Sequence, residues 1–467
     1  MSISQPTLKL RHPFYVIHKD AGVEVHTPTN SHIFPTSQNC LVEESQELII
    51  LQNASTLEIY DYNLTKKYDL KIEYIDRLTL SKKYLHILQV PPASNKEGFV
   101  REPTMYYLLD LKKDCYNLIF SRKLQSIPSA WPICSFKNNI IALPDQSGVS
   151  YFNYNPFLKT EFTKTQVNTS QIDHDDLIGV KFIEFSPISD DLLFAAFFPE
   201  KQRFPASIEL YSKQIGKKAQ LINTISSLNG TSVIFKWCPM GHLVLAITST
   251  EFDETGHSYY GQSSLYSLFV PNISGKPPQF VPNPKVFKSP TNNIYTRALV
   301  MAQYQDAQFS PSGDTLSIIS GLQPAEVSVL STLSFDELFH RQNVFANSSI
   351  FSFNSQFLAI GGFGNLPGDV EIFETKSFLR VAKFSSQCTT EWMWSNDNAS
   401  IICAHCWPRR HFDNKIERFG IDGELIEKIE VVPRGITVFG EKEMRDLVFK
   451  FIEYKDEGAI YVTPKKK

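Results

Sequence analysis

Apolar residues along this chain recur in short alternating or continuous runs separated by polar turns, and the runs are joined by a repeated phrase. An aromatic residue closes one run, a short polar turn follows, and a second apolar run begins. The phrase reads Phe185-Ser186-Pro187, Trp237-Cys238-Pro239 and Phe309-Ser310-Pro311, with degenerate copies at Phe351-Ser352 and Trp394-Ser395. Successive aromatics lie 52, 72, 42 and 43 residues apart. Period-two alternation is the mark of a strand whose two faces meet different surroundings. Strands repeated every ~40–50 residues are the signature of propeller blades.

In the second half of the chain, strands are predicted at 243–248, 316–320, 357–360 and 400–404, with partners at 264–270, 326–330, 370–373 and 416–421. The first half is weaker: 47–51 with 55–60, 84–90 with 105–111, and 139–143 with 149–154. Residues 176–212 read as a blade with strands at 179–185, 192–198 and 207–211, and residues 8–26 add strand-like text. The predicted fold is an all-β, WD40-like β-propeller of eight or nine blades over residues 1–454, followed by a short basic tail, 455–467. An open ring leaves two bare edges, so closure by the N-terminal strands and 445–454 is expected. That segment also fits a helical stripe, and closure decides for strand. The long step from Trp237 to Phe309 places an insertion at 271–290, whose six prolines block ladder pairing and predict a surface loop.

The composition supports sheet and a large core: 42% apolar, with 35 Phe and 19 Tyr in 467 residues. A net charge of −3 gives the whole chain no basic footprint, so a nucleic-acid contact needs a local patch or a protein intermediary. Seven scattered cysteines suit a reducing compartment. Residues 1–20 lack a signal-type apolar core, and no run approaches the ~20 residues needed to cross a bilayer. A cytoplasmic protein away from membranes is expected. Phosphate-cradling, His-Glu-x-x-His and Gly-x-Ser-x-Gly motifs are absent from the sequence, so neither an enzyme nor a cofactor is expected. Cys403-Ala404-His405-Cys406 with His411 offers zinc-type donors, but as one knuckle without its second pair. A strand over 400–404 turns Cys403 and His405 to one side and Cys406 to the other, so these are read as packing residues with no metal.

In a blade, the loops joining the second and third strands lie on one face. Here they are 199–206, 251–262, 321–325, 361–369 and 406–414. Arginines beside exposed rings are the composition of a protein or RNA contact surface. The candidate binding residues are Arg203, Tyr259, Tyr260, Gly261, Gly362, Phe363, Gly364, Asn365, Arg409 and Arg410. The alternative is that the glycines only permit tight turns and the rings pack between blades. Asp253, Glu254, Asp369 and Asp413 make the face mixed in charge.

Three of these loops carry a resemblance. The run Leu243-Val244-Leu245-Ala246-Ile247-Thr248, then Thr255-Gly256-His257-Ser258-Tyr259-Tyr260-Gly261, then Gly362-Phe363-Gly364-Asn365-Leu366 and the Pro408-Arg409 loop with Asp413-Asn414, resembles the eukaryotic translation initiation factor 2A family over about residues 230–430. The resemblance implies a nine-bladed propeller, association with the small ribosomal subunit and other initiation factors, and GTP-independent delivery of initiator methionyl-tRNA or a part in mRNA selection. It also implies RNA and factor contacts from a long basic C-terminal extension, for which Lys465-Lys466-Lys467 stand here as a weak phosphate contact. The alternative is a protein-interaction scaffold without direct RNA binding, similar to propeller subunit b of initiation factor 3.

Overall fold

The computed structural model describes residues 14–92, 103–154, 169–200, 205–250, 263–270, 301–405, 415–430 and 448–461, apart from short breaks. The described residues form strands and turns, arranged in nine antiparallel sheets. Sheet 1 runs Ser31–Phe34, Gly22–His26, Phe14–Lys19, Val448–Lys455, Gly458–Tyr461. Sheets 2 to 9 each hold four strands in chain order. Their first strands are Asn39–Glu43, Ile75–Ser81, Ser135–Lys137, Phe182–Phe185, Ser232–Trp237, Tyr304–Phe309, Ser348–Phe351 and Glu391–Trp394. Their fourth strands include Gln220–Leu228 in sheet 5, Glu337–Val344 in sheet 7 and Arg380–Ser385 in sheet 8. Among the described residues no helix is long and apolar enough to cross a membrane.

The second strands explain why some runs are apolar throughout. In Leu192–Phe198 of sheet 5, Leu192, Phe194 and Ala196 pack on Ala142 and Tyr151 of sheet 4. The alternate residues Leu193, Ala195 and Phe197 pack on Phe235 and Val244 of sheet 6. Leu243–Ser249 repeats the division, with Val244 and Ala246 toward sheet 5 and Leu243, Leu245 and Ile247 toward sheet 7. A strand buried on both faces loses the polar half of its alternation. The core is thus a series of layers between sheets.

The repeated phrase has a physical role at the hairpin between first and second strands. Ser310 Oγ accepts the Thr315 N–H at 3.1 Å, and Ser352 Oγ accepts the Phe357 N–H at 2.9 Å, so each serine ties its own turn. These turns touch from sheet to sheet. Cys238 Sγ donates to Gly313 O at 3.2 Å, the Ser312 N–H to Ser355 Oγ at 3.0 Å, and the Asn354 N–H to Asn398 Oδ1 at 3.0 Å.

Each first strand in sheets 2 to 9 has a ladder neighbour on one side only. An edge of that kind strands its backbone groups. Side chains of the adjacent sheet meet several of them. Ser135 Oγ accepts the Phe185 N–H at 3.0 Å, and Asp306 Oδ2 accepts the Ser349 N–H at 2.9 Å. Lys137 donates to Ser186 O at 2.6 Å, Lys236 to Ala307 O at 2.8 Å, and Trp394 Nε1 to Ile350 O at 3.2 Å.

The strands expected in sheets 5 to 9 are present, as is the strand preferred over a helix near the C-terminus, which is Val448–Lys455 and pairs with Phe14–Lys19. Gly458–Tyr461 adds a strand within the stretch read as a tail. The insertion at 271–290 lies outside the described residues.

Asp306 is fully buried, so Asp306→Ala leaves the Ser349 N–H without its acceptor. We expect a loss of about 1–3 kcal/mol, read from urea unfolding. Buried His86 holds the Tyr106 hydroxyl with Nδ1 at 2.7 Å, and burial pushes its pKa down to about 3. An unfolded histidine takes a proton near pH 6.5. The unfolded chain therefore binds more protons between about pH 6.5 and 3, and stability falls as pH drops through that window. His86→Leu should make this fall shallower, measured as urea midpoint against pH.

Candidate interaction face

Strand direction alternates within each sheet, so second-to-third-strand loops and the linkers to the next sheet emerge at the same end. At sheets 7 to 9 these segments grip one another. Gln323 Nε2 donates to Ala346 O at 2.7 Å. Asn347, in the linker from sheet 7 to sheet 8, donates to Phe363 O at 2.9 Å and accepts the Phe363 N–H at 3.0 Å. The loop then closes on itself and on the next linker, with the Gly368 N–H donating to Gly362 O at 2.8 Å and the Ser386 N–H to Gly368 O at 2.9 Å.

The glycines are required by this packing. A Cβ on Gly362 would lie 2.0 Å from Phe345 O, and one on Gly368 2.7 Å from the Gln387 Cα, at a φ of +87°. Phe363 is where the sequence reading needs correction. The sequence suggests a contact residue, but Phe363 is only 8% exposed, and its ring meets Trp392 edge-on at 4.9 Å. Trp392 is fixed in turn by Nε1 donating to Ser348 Oγ at 3.0 Å. The alternative of a ring packed between blades holds for this residue. The loop presents Asn365 and Pro367, with Gly364 half-buried. Beside it Leu322 is 63% and Phe345 54% exposed, and Asp369 pairs with Lys383 at 2.8 Å. This part of the face is apolar and mixed in charge.

The strand ends on either side of residues 406–414 are tied together. His405, the last residue of Ser400–His405, sets Nε2 2.9 Å from Glu417 and 3.0 Å from Ser386 Oγ. Lys415, the first residue of the following strand, also pairs with Glu417. Burial works to raise the Glu417 carboxyl, but Lys415 and His405 outweigh it and hold the group below its ordinary range. Burial pushes the Cys403 thiol up to about 12, so it stays protonated and inert at neutral pH. Cys403 and His405 both approach Ser386, as strand alternation requires. Among the described residues no His, Cys, Asp and Glu cluster is suited to a metal. Cys406 and His411 lie outside the described residues, as do Arg203, Tyr259, Tyr260, Gly261, Arg409 and Arg410.

Sequence reasoning missed a cavity of about 930 Å³ among the first strands of sheets 3 to 6. Its lining runs from Thr79 to Pro239, and no local motif marks residues so far apart in the chain.

Residues 226–434 match the sequence model of a family described as eukaryotic translation initiation factor eIF2A. That span contains sheets 6 to 9, and with them the loops just described. The chain is similar to eukaryotic translation initiation factor 2A of Saccharomyces cerevisiae, 29% identical over 238 residues that cover 49% of this chain and 34% of that protein. It is likewise similar to the factor 2A of Schizosaccharomyces pombe, 29% identical over 253 residues that cover 52% of this chain and 39% of that protein. The chain thus matches well under half the length of these relatives. Among solved structures it is similar to the crystal structure of a eukaryotic initiation factor, with a TM-score of 0.67 and 18% identity over 94% of this chain and 98% of that one. At that identity the likeness shows a shared fold.

Gly362→Ala forces its methyl group against the Phe345 carbonyl. A loss of about 1–3 kcal/mol is expected from chemical denaturation, together with faster limited proteolysis at 362–368.

Proposed function

Because residues 226–434 match the sequence model of the eukaryotic translation initiation factor eIF2A family, we propose that the chain is a member of it and serves translation initiation by binding and not by catalysis, docking on the small ribosomal subunit through the loop face of a closed nine-bladed, WD40-like propeller. The observation that carries this reading is a coincidence of place. The family match covers sheets 6 to 9, and there the 362–368 loop and the root of the 406–414 loop are held by specific polar contacts. Loops fixed at their roots lose little conformational freedom on binding. Arg203, Arg409 and Arg410 would pair with phosphates, and Tyr259 and Tyr260 would stack on bases.

Pairing of Phe14–Lys19 with Val448–Lys455 and turn-to-turn contacts along sheets 6 to 9 support the ring. Placed on the subunit in the cytoplasm, the face would assist initiator methionyl-tRNA delivery or mRNA selection beside other initiation factors. A protein-only docking role is favoured by one observation, the exposed Leu322 and Phe345 beside the 362–368 loop.

Cosedimentation with small ribosomal subunits across a salt series separates the two. For RNA contact, Arg409→Ala/Arg410→Ala is expected to weaken binding about tenfold and reduce the salt slope by about two. A flat salt response, with binding lost in Leu322→Ser/Phe345→Ser instead, would assign the face to protein.

A further inference from the structure

We propose that the cavity among the first strands of sheets 3 to 6 receives a basic side chain, arginine or lysine, presented by a partner polypeptide, with Glu184 as its counter-ion. This inference is independent of the ribosomal reading. At about 930 Å³ the space is a binding-pocket volume and not a packing defect. Glu184 lines it together with Phe182, Ile183 and Phe185 of the same strand, and Ile183 and Phe185 also pack in the layer toward sheet 4. Tyr84, Phe136, Phe182 and Trp237 supply aromatic walls, with the Tyr84 and Phe136 ring centres 4.0 Å apart. Rings around a carboxylate are the surroundings in which a guanidinium or ammonium group is held, by charge and by the ring faces together.

Glu184 makes no hydrogen bond or ion pair among the described residues, and burial alone pushes its carboxyl up to about 7. An uncompensated carboxylate in such a place is costly, and an incoming cation relieves that cost. The other titratable groups on the wall do not compensate it. Burial raises Tyr84 and pushes Cys134 up to about 12, so both are neutral. The Lys137 ammonium is tied to Ser186 O at 2.6 Å. Asp, Arg and His are absent from the described lining.

The rim argues for a polypeptide in preference to a free amine or an RNA. Pro187 and Pro239 line the cavity, and the residues that follow them, Ile188 and Met240, are 59% and 46% exposed. An apolar collar of this kind fits the backbone and side chains flanking the basic residue.

The test uses fluorescence anisotropy with the full chain and a labelled acetyl-Leu-Gly-Arg-Gly-Leu amide, against the same peptide with citrulline in place of arginine. The arginine peptide is expected to bind at about pH 8, and the citrulline peptide to bind at least about tenfold more weakly. Lowering the pH to about 6 protonates Glu184 and should cost about tenfold in affinity. Glu184→Gln should lose the same affinity and show no pH dependence, and it should melt no lower than wild type at about pH 8, since it removes an unpaired carboxylate from a half-buried position. Trp237→Leu, which removes a ring wall and leaves Glu184, should weaken binding and keep the pH dependence. No binding of the arginine peptide at about 1 mM, equal affinity for the citrulline peptide, unchanged binding by Glu184→Gln, or competition by a single-stranded RNA oligonucleotide would each overturn the proposal.

Discussion

A first strand with a partner on one side only has to place its remaining backbone groups somewhere, and here the next sheet supplies the answer. Ser135, Lys236, Asp306 and Trp394 reach across the joint and meet main-chain groups of the neighbouring first strand, and Lys137 meets the carbonyl just past the end of one. Apolar layers between sheets give most of the driving force, but they are non-directional. The cross-joint hydrogen bonds fix how far one sheet can rotate against the next. They suit first strands of mixed polarity such as Ser232–Trp237, set beside second strands buried on both faces such as Leu192–Phe198.

The joint between sheets 4 and 5 adds a buried ion-pair cluster to these contacts. Lys213 is fully buried, with Asp173 at 2.9 Å and Asp175 at 3.0 Å, and its ammonium lies 4.9 Å from the Tyr151 ring centre. Asp173 and Asp175 belong to the last strand of sheet 4 and Lys213 to the third strand of sheet 5. Asp175 also accepts the Ala219 N–H at 2.8 Å and Asp173 the Gly216 N–H, so the turn of sheet 5 is held as well. Removing Lys213 would leave the Asp175 carboxylate, whose side chain is 3% exposed, without its ion-pair partner, which is strongly destabilising.

The sheets were legible in the sequence wherever alternation or a full apolar run survived, as in Leu192–Phe198, Leu243–Ser249 and Ser400–His405. The outermost strands were not. Glu337–Val344 and Arg380–Ser385 are largely solvated, so polar residues occupy positions that a pattern search expects to be apolar. The loop at 362–368 was found, but Phe363 was misjudged, because a loop position says nothing about the partner a ring will find. Its partners, Trp392 and Asn347, lie in other segments, and only the tertiary arrangement brings them together. Glu184 was invisible for the same reason: it lies one position from the recurring Phe185-Ser186-Pro187 phrase, and nothing local shows that it faces a cavity.

Sheet 1 is assembled from opposite ends of the chain, with Phe14 opposite Ile452. Contacts so distant in sequence carry a heavy loop-closure cost and form late. Strands near the N-terminus emerge early in synthesis, yet their sheet cannot be completed until the segment around residue 452 has left the exit tunnel. Until then the side of Phe14–Lys19 that later pairs with Val448–Lys455 has no ladder partner.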